Sequence, residues 1–305
     1  MELQWFEDFL ALVQTENFSR AAEARNITQP AFSRRVRAFE DWVGEPLFSR
    51  HSQGVKLTAA GEALRVGVEE SVRRIHQMRA EAREAAGREK GSLHFAATHA
   101  LSFTFFSRWM RELERDSPPF GTIRLVSDTM QGCEALMLRG EAQFLICHHH
   151  PSALERFEAN QFRSIPIGGD VLSPFAAPGA DGAPVWRLDR GVEIPLLDYS
   201  GESGLGRILA AQNFAARGLR LKPVLSAQLA TALMTMALDG RGIAWVPQSL
   251  AEQDVAAGRL VRAGDESWDV PIEIRLFRPR ARQSPTAELF WARITRKDAE
   301  AQDTA

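Results

Sequence analysis

The sequence contains very little cysteine and no long apolar run. Only two cysteines, Cys133 and Cys147, occur in 305 residues, which argues against a disulfide scaffold and fits a reducing compartment. No run approaches the roughly 18 apolar residues that a membrane span needs. The first residues, MELQWFEDF, are acidic and amphipathic, unlike a signal peptide. We therefore expect a cytoplasmic protein with no membrane partner.

A net positive charge is also missing. The chain has 37 Lys and Arg against 39 Asp and Glu, a formal charge of −2, so no overall basic field indicates nucleic acid. The charge is segregated, however, because five arginines and a single acid lie between Arg20 and Arg37. A local patch of this kind is sufficient for phosphate contacts. The length of 305 residues predicts two or three domains.

The stretch from Asn17 to Glu40 is typical of two short helices joined by a tight turn. Ser19 is a candidate N-cap of the first helix, since its hydroxyl can accept from a free backbone N–H. Thr28 offers a second cap, and Gln29 with Pro30 stands just inside the next helix, where proline loses no hydrogen bond. This pattern predicts a helix-turn-helix.

The second helix has the two faces that a recognition helix needs. Phe32, Val36 and Phe39 recur at spacings of four and three, which predicts a buried face. The opposite faces are polar and can enter a major groove. An ordinary solvated amphipathic helix is the alternative for the arginines alone. The candidate DNA-binding residues are Ser19, Thr28, Gln29, Pro30, Ser33, Arg34, Arg35, Arg37 and Arg50.

These candidates have different expected roles. Gln29 can hydrogen bond to adenine, and the forked guanidinium of Arg34 can bind guanine. Arg35 and Arg37 suit phosphates, which fix position without reading sequence. Arg50 belongs to a short β-wing predicted between residues 44 and 57, with Gln53 at its surface, and is also assigned to phosphate.

A long helix without proline follows Thr58, its predicted cap, and runs to about Ala86. Its apolar stripe is too long for one small domain to bury, since a helix rises 1.5 Å per residue. We therefore predict a coiled-coil-like pairing with a second chain. A hinge is expected at residues 87–91. The members of the stripe are Leu64, Val68, Val72, Ile75, Met78, Ala82 and Ala85.

From Ser92 onward, short β-rich runs alternate with helical ones, which predicts an α/β domain. The predicted elements include a helix from Leu101 to Arg115, separate strands at residues 162–167 and 171–178, and a helix from Ser203 to Ala216. Ligands in such domains bind beyond the C-terminal ends of strands, where helix N-termini suit an anion. We expect a carboxylate or a similar group at the strand ends near Thr98 and Ser200. Simple helix capping is the alternative for each residue. The candidate effector-binding residues are Thr98, His99, Ser102, Ser127, Thr129, His148, Tyr199, Ser200, Ser203 and Trp245.

The run from Cys147 to His150 invites a metal interpretation, since thiolate and imidazole suit zinc or copper. Neighbouring residues of a strand point to opposite faces, however, so consecutive histidines rarely bind one ion. We predict no metal and no cofactor. A metal-assisted hydrolase at His148–His150 remains an alternative, although the chain has no nucleophile elbow, phosphate loop or spaced metal motif. A ligand-binding or redox-sensing protein without DNA affinity is a third possibility.

An ordered set of residues in the first 61 positions resembles the N-terminal domain of LysR-type transcriptional regulators, and the likeness extends more weakly over nearly the whole chain. Beyond the recognition helix it includes Gly44, Pro46-Leu47-Phe48 and Arg50. The matching residues also include Phe18-Ser19, Ala21-Ala22, Thr28-Gln29-Pro30-Ala31, Ser33-Arg34, Phe39-Glu40 and Leu57-Thr58-Ala60-Gly61.

The resemblance implies an α+β multidomain regulator. Residues 1–60 would form a winged helix-turn-helix and residues 61–90 a dimerising linker helix with its hinge. Residues 91–300 would form a two-lobed α/β effector domain like periplasmic binding proteins, with lobe one about 91–166 and 269–300 and lobe two about 167–268. Double-stranded operator DNA, a small-molecule effector and a homo-dimer or homo-tetramer are the implied partners. Such a chain would not be an enzyme.

Several segments, including Ala97-Thr98-His99-Ala100-Leu101-Ser102, look like the hypochlorite-responsive branch of that family. Members of that branch sense oxidant through methionines. The corresponding segments here carry Leu113, Leu205 and Leu229, which cannot form sulfoxides. Small-molecule sensing is therefore the main expectation and oxidant sensing the alternative. The methionines that could substitute, if exposed, are Met130, Met137, Met234 and Met236.

Overall fold

The computed structural model describes residues 2–51, 54–86, 91–115, 118–153, 157, 159–189 and 191–302. Gln53 of the predicted wing and residues 87–90 of the predicted hinge lie outside the described residues. The chain divides into two compact units. The first comprises Met1–Glu89 with Leu138–Glu141, and the second comprises Lys90–Met137 with Ala142–Ala305.

The first unit has the predicted helix-turn-helix and wing. Helices α2 and α3 follow one another through a short turn at Arg25–Thr28, and β1 pairs with β2 as an antiparallel hairpin. The long helix α4 has nearly the predicted limits. The elements are α1 (Leu3–Thr15), α2 (Phe18–Ala24), α3 (Gln29–Val43), β1 (Phe48–His51), β2 (Gly54–Leu57) and α4 (Ala59–Ala85).

The cap of α2 differs from the expectation. Asn17, not Ser19, is the N-cap, because its Oδ1 accepts from the backbone N–H groups of Ser19 at 2.9 Å and Arg20 at 3.1 Å. Thr28 does occupy the N-cap of α3, but its side chain makes no capping hydrogen bond. Pro30 lies in the first turn of α3, where it removes no helical hydrogen bond.

The predicted apolar stripe of α4 is only partly available to a second chain. Val68 and Val72 are buried against Phe9 and Phe39 of the same unit. Further along the helix, Ile75 and Met78 are 40% and 53% exposed. The first half of the stripe therefore closes the core of its own unit, and the second half is the part that can serve a partner. The predicted cap of α4 is confirmed, since the Gly61 N–H donates to Oγ1 of Thr58 at 3.1 Å.

The second unit alternates strands and helices as predicted. A short 3₁₀ turn also occurs at Glu266–Trp268. Among the described residues, no helix is long and apolar enough to cross a bilayer. The elements are β3 (Leu93–Thr98), α5 (His99–Thr104), α6 (Phe106–Glu114), β4 (Ile123–Asp128), α7 (Met130–Leu138), β5 (Phe144–His149), β6 (Phe162–Ala176), β7 (Glu193–Tyr199), α8 (Gly204–Ala210), β8 (Arg220–Ala227), α9 (Ala230–Leu238), β9 (Ala244–Pro247), α10 (Gln248–Ala256), β10 (Val261–Arg262), β11 (Val270–Pro279) and α11 (Pro285–Gln302).

Three elements differ from their predicted limits. The helix expected from Leu101 to Arg115 is interrupted at Phe105, whose backbone leaves the helical path at φ −115° and buries the ring. The helix expected to reach Ala216 ends at Ala210 and continues as turns. The two strands expected at residues 162–167 and 171–178 are a single strand, β6 (Phe162–Ala176).

The sheet is mixed rather than parallel throughout. In the seven-stranded sheet, β4, β3 and β5 are parallel neighbours, while β7 and β8 form a separate parallel two-stranded sheet. The long strands β6 and β11 run antiparallel to one another along almost their whole length, and β11 is antiparallel to β5. Strands β9 and β10 both pair with β6. Pairing is therefore parallel between strands that helices connect. It is antiparallel for the long strands β6 and β11, which contribute to both hydrophobic cores of the unit.

Among the described residues of the second unit, two large hydrophobic cores can be distinguished. One contains the aromatic rings of Phe95, Phe144 and Phe290, and the other contains Tyr199 and Trp245. Both cores include residues of β6 and β11. Ile167 of β6 and Ile274 of β11 pack in the core of Phe95, whereas Leu172 of β6 and Ile272 of β11 pack in the core of Trp245. These cores fit a two-lobed domain, while the sequence limits proposed above for each lobe stay a prediction.

Candidate functional site

The polar faces of α3 present several of the predicted DNA contacts. Gln29, Pro30, Arg34 and Arg37 are exposed, while the Phe32 side is buried. The Gln29 Nε2 donates to Oγ of Ser33 at 3.1 Å. This bond orders the amide on the exposed surface of the first turn, the part of a recognition helix that reaches base edges.

Arg35 has a different environment from the one predicted. Its Nε lies 2.6 Å from Oδ2 of Asp8, its Nη2 donates to Oδ1 of Asp8 at 3.0 Å, and its Nη1 donates to Gln4 at 2.6 Å. The Asp8 side chain is completely buried. A guanidinium held in this way positions α3 against α1, and its assignment to DNA phosphate is corrected accordingly.

Asp8 also binds Arg25, which follows α2. The Arg25 Nε donates to Oδ1 of Asp8 at 2.9 Å, and its Nη2 donates to Glu7 at 2.6 Å. Burial alone would lower the pKa of Arg25, but the hydrogen bonds and charges of Asp8 and Glu7 raise it overall. Glu7 lies 3.3 Å from Nε2 of His76 on α4. The acidic pair of partly buried Glu7 and fully buried Asp8 therefore connects α1, α2, α3 and α4.

Arg50 is exposed on β1, as the wing prediction required. Its guanidinium carbon lies 5.2 Å from the ring centroid of Phe18 at the start of α2. A cation over an aromatic face keeps its charge while it gains a fixed position. Ser19 lies on the same short helix and is exposed. Both residues can therefore face a DNA backbone.

A pocket lies at the strand ends and helix starts of the second unit, and we call it the effector pocket. It contains ≈ 420 Å³ of empty space, part of which is open to solvent. It receives residues from both α/β parts: β3 with α5 and β4 with α7 on one side, and α8 with α9 on the other. Its lining residues are Thr98, His99, Ala100, Asp128, Thr129, Met130, His148, Ser203, Gly204, Leu205, Gln228, Leu229 and Ala230.

Five of the ten predicted effector residues line this pocket, namely Thr98, His99, Thr129, His148 and Ser203. Two of these act as helix caps, which was the alternative interpretation. Oγ1 of Thr129 accepts from the Gly132 N–H at 3.1 Å, and Oγ of Ser203 accepts from the Gly206 N–H at 3.4 Å. The capping bonds use one acceptor site on each hydroxyl and leave its proton available.

The other five predicted residues are placed elsewhere. Tyr199 and Trp245 lie in the core, where the Tyr199 hydroxyl donates to the Trp245 carbonyl at 3.0 Å and burial raises the tyrosine pKa. Ser102 and Ser127 hydrogen bond to one another at 2.8 Å outside the pocket lining. Ser200 donates its N–H to Ala227 and is likewise outside the lining. The burial of Tyr199 and Trp245 in the core contradicts their assignment to the effector. The assignment of Ser102, Ser127 and Ser200 stays a prediction, and Oγ of Ser200 is itself buried without a hydrogen-bond partner among the described residues.

Two buried polar atoms on the pocket residues have no hydrogen-bond partner among the described residues. They are Oγ1 of Thr98 and Nε2 of His148. Thr98 stands at the N-cap of α5 but makes no side-chain capping bond. Burial lowers the pKa of His148 to about 4, with Asp170 acting in the opposite direction, so this imidazole is neutral at pH 7. An unsatisfied buried polar group is costly, which points to a ligand.

The N-terminus of α9 is a part of the site that the sequence analysis did not identify. Gln228, Leu229 and Ala230 line the pocket, and Leu229 at the N-cap offers no side-chain cap. Free backbone N–H groups at a helix start favour an anion. The rule applied to the other strand ends would have found this segment, because β8 ends at Ala227.

The start of α7 is, in contrast, already occupied. The Asp128 carboxylate accepts from the Thr129 N–H at 2.6 Å. It lies so close to Gly132 that a Cβ at this position would approach its oxygens to 2.3 Å. Because a carboxylate of the chain itself satisfies this helix start, an incoming anion would be repelled there. The α9 side of the pocket is the favourable side.

The cysteine and histidine cluster does not form a metal site among the described residues, where no group of three or more His, Cys, Asp and Glu is placed to hold an ion. His149 is turned towards Glu273, with Nδ1 3.5 Å from its Oε2, and Nδ1 of His150 accepts from the Ser152 N–H. Cys133 and Cys147 are both buried, and burial raises the pKa of Cys133 to about 12. Reactive thiols require the opposite conditions.

The chain matches two protein-family models. Residues 3–62 match the bacterial regulatory helix-turn-helix protein of the lysR family, and residues 86–299 match the LysR substrate binding domain. The HTH-type transcriptional regulator YjiE of Escherichia coli strain K12 is 28% identical over 294 residues, which are 96% of this chain and 94% of that protein.

Two solved structures show the same fold. The full-length structure of HypT from Salmonella typhimurium, a hypochlorite-specific LysR-type transcriptional regulator, is 28% identical, covers 98% of this chain and 99% of its own, and has a TM-score of 0.58. Vibrio fischeri DarR, solved in complex with DNA, is 28% identical over 96% of this chain and 97% of its own, with a TM-score of 0.55. The chain therefore belongs to the LysR family: it is a DNA-binding transcriptional regulator with a two-lobed effector-binding domain and not an enzyme.

Proposed function

We propose that this regulator reads its operator through the first turns of α3 and holds the backbone through its wing. Gln29 and Arg34 contact bases, while Arg37 and Arg50 contact phosphates. The exposure of these side chains supports the assignment. Arg35 is left out because Asp8 and Gln4 bind its guanidinium. The residues of the proposed interface are Ser19, Thr28, Gln29, Pro30, Ser33, Arg34, Arg37 and Arg50.

The protein acts as a homo-dimer or homo-tetramer in the cytoplasm. The exposed second half of the α4 stripe, with Ile75 and Met78, supports pairing with a second chain. Two recognition helices then read two half-sites of one operator. The DNA-bound structure of DarR supports an operator as the partner.

The signal is a small organic anion bound in the effector pocket. The observation that carries this proposal is that Thr98 Oγ1 and His148 Nε2 are both buried, have no partner among the described residues, and lie at one pocket whose wall includes the start of α9. Both groups can donate to a carboxylate, because His148 is neutral and its imidazole carries one N–H. Binding between the two α/β parts would favour one degree of closure and so change operator affinity.

Calorimetric titration of the full chain with a panel of small carboxylic acids tests this proposal. An acid that binds the unmodified protein should bind Thr98→Val roughly 10- to 100-fold more weakly. This corresponds to about 1.5–3 kcal/mol, because a hydrogen bond to a charged group is removed. Thr235→Val is the matched control, since its hydroxyl is exposed on α9 and bonds to its own helix. Binding that is unaffected by Thr98→Val would place the effector elsewhere.

A response to oxidant is the second candidate. Met130 favours it, because this methionine is partly exposed and lines the effector pocket, and HypT is a hypochlorite-specific relative. Met137, Leu113 and Leu205 are buried. Treatment with hypochlorite, peptide mass spectrometry at Met130 and operator titration in parallel would decide the question. Oxidation of Met130 without a change in operator affinity would remove this candidate.

A further inference from the structure

A second pocket adjoins the effector pocket, and we call it the side pocket. It contains ≈ 400 Å³ of empty space, part of which is open to solvent. It shares Met130, His148 and Gly204 with the effector pocket, so these three residues separate the two spaces. Its lining residues are Met130, Cys147, His148, His149, His150, Ala153, Phe157, Gly204, Arg207, Ile208 and Phe277.

The wall of the side pocket is mainly apolar and carries no uncompensated guanidinium. The rings of Phe157 and Phe277 lie 5.4 Å apart, and Ile208 is buried beside them. Arg207 forms a two-pronged ion pair with the buried Glu134, at 2.6 Å and 3.0 Å. Because this pair neutralises the arginine, the side pocket does not attract an anion, and it favours an apolar group.

The partition between the two pockets is adaptable. Met130 packs directly against Gly204, where a Cβ would stand 3.2 Å from its side chain. Methionine has three rotatable bonds and repacks at little cost. His148 stands in the same partition with Nε2 buried and unpartnered among the described residues. A ligand that spans both spaces would displace Met130 and hydrogen bond to His148.

We propose that the effector is a two-part organic anion, with its carboxylate at Thr98 and the start of α9 in the effector pocket and an aromatic ring in the side pocket beside Phe157 and Phe277. This inference rests on the proposed function and adds the chemical class of the ligand. The charged and apolar ends of such a ligand would each meet the part of the site that suits it.

Calorimetric titration of the full chain at pH 7 and fixed salt with four probes tests the inference: acetate, phenylacetate, 3-phenylpropanoate and the neutral 3-phenylpropan-1-ol. We expect 3-phenylpropanoate to bind about 10- to 100-fold more tightly than acetate, because the ring is removed from water. The alcohol should bind much more weakly than the acid. Ala153→Leu narrows the side pocket and not the effector pocket. It should remove most of the affinity that 3-phenylpropanoate gains over acetate and leave the affinity for acetate unchanged. Ala292→Leu on the exposed face of α11 is the control.

The outcomes separate the two proposals. Equal affinities for the three acids, all weakened by Thr98→Val, would overturn the two-part ligand and leave the proposed function standing. No binding of any acid, or an alcohol as tight as its acid, would overturn both. If Ala153→Leu does not fold, as judged by its melting temperature, the four affinities of the unmodified chain still decide the matter.

Discussion

Replacing Asp8 by asparagine removes the charge that holds the recognition helix in place. The buried carboxylate of Asp8 binds Arg25 and Arg35, with contacts of 2.6 to 3.0 Å. Breaking a buried ion pair costs about 3–5 kcal/mol, since the partner loses its counter-charge. The two arginine side chains are 24% and 26% exposed, so water replaces part of the interaction. We therefore expect the free energy of unfolding of Asp8→Asn to fall by an amount near the lower limit, about 3 kcal/mol.

Urea unfolding followed by pulsed hydrogen exchange and peptide mass spectrometry measures this loss in each unit separately. For a unit of this size the free energy of unfolding falls by about 1 kcal/mol for each molar increase in urea. The midpoint for peptides from α1 to α3 should therefore fall by about 3 M in Asp8→Asn. Peptides from β3 to α11, apart from those that contain Leu138–Glu141 of the first unit, should keep their midpoint, because none of their residues binds Asp8 among the described contacts.

A matched variant and a double-mutant cycle complete the experiment. Asp41→Asn makes the same chemical change at an exposed position of α3 and should stay within about 0.5 kcal/mol of the unmodified protein. Adding Arg35→Gln to Asp8→Asn should cost less than the sum of the single changes. A loss below about 1 kcal/mol in Asp8→Asn, or an equal loss in the control, would refute the reasoning.

Three further predictions concern DNA and pH. Arg34→Ala should weaken operator binding by about 1–3 kcal/mol with the fold intact; anisotropy titration at fixed salt measures this, and unchanged affinity would remove Arg34 from the interface. Arg37→Ala should lower the slope of log affinity against log salt by about 1, and an unchanged slope contradicts a phosphate contact. His148 should lower the free energy of unfolding as pH falls from 6.5 to about 4. Over this range the imidazole binds a proton in the unfolded chain but not in the buried site. The melting temperature of His148→Gln should depend less steeply on pH than that of the unmodified protein, and parallel profiles of the two proteins would contradict this.

The helix-turn-helix could be predicted because its signals are local. Pro30 in the first turn of α3 and the spacing of Phe32, Val36 and Phe39 fall within one helix, where periodicity reports burial directly. The cap of α2 was missed because Asn17 and Ser19 are both good capping residues two positions apart. Backbone geometry decided between them.

The Asp8 network could not be predicted from periodicity. Asp8 belongs to the helix that carries Phe9 and Leu10, and its partners Arg25 and Arg35 lie 17 and 27 residues away. An acidic residue on an amphipathic helix ordinarily faces water, so only the packing of three helices makes this one internal. Two of the predicted effector residues, Tyr199 and Trp245, were misplaced for a related reason. Tyr199 follows the strand-end rule by position, yet its ring fills a core.

The order of strands in the large sheet has a consequence for synthesis of the protein. β5 lies between β3 and β11, but β11 is made roughly 120 residues after β5, which takes of the order of ten seconds on a ribosome. During that interval one edge of β5 has no β11 to pair with and is a template for aggregation. Both cores also take residues from β11. A nascent chain released before this strand emerges would complete neither core, so premature termination should yield aggregates and chaperone clients, not a working half-protein.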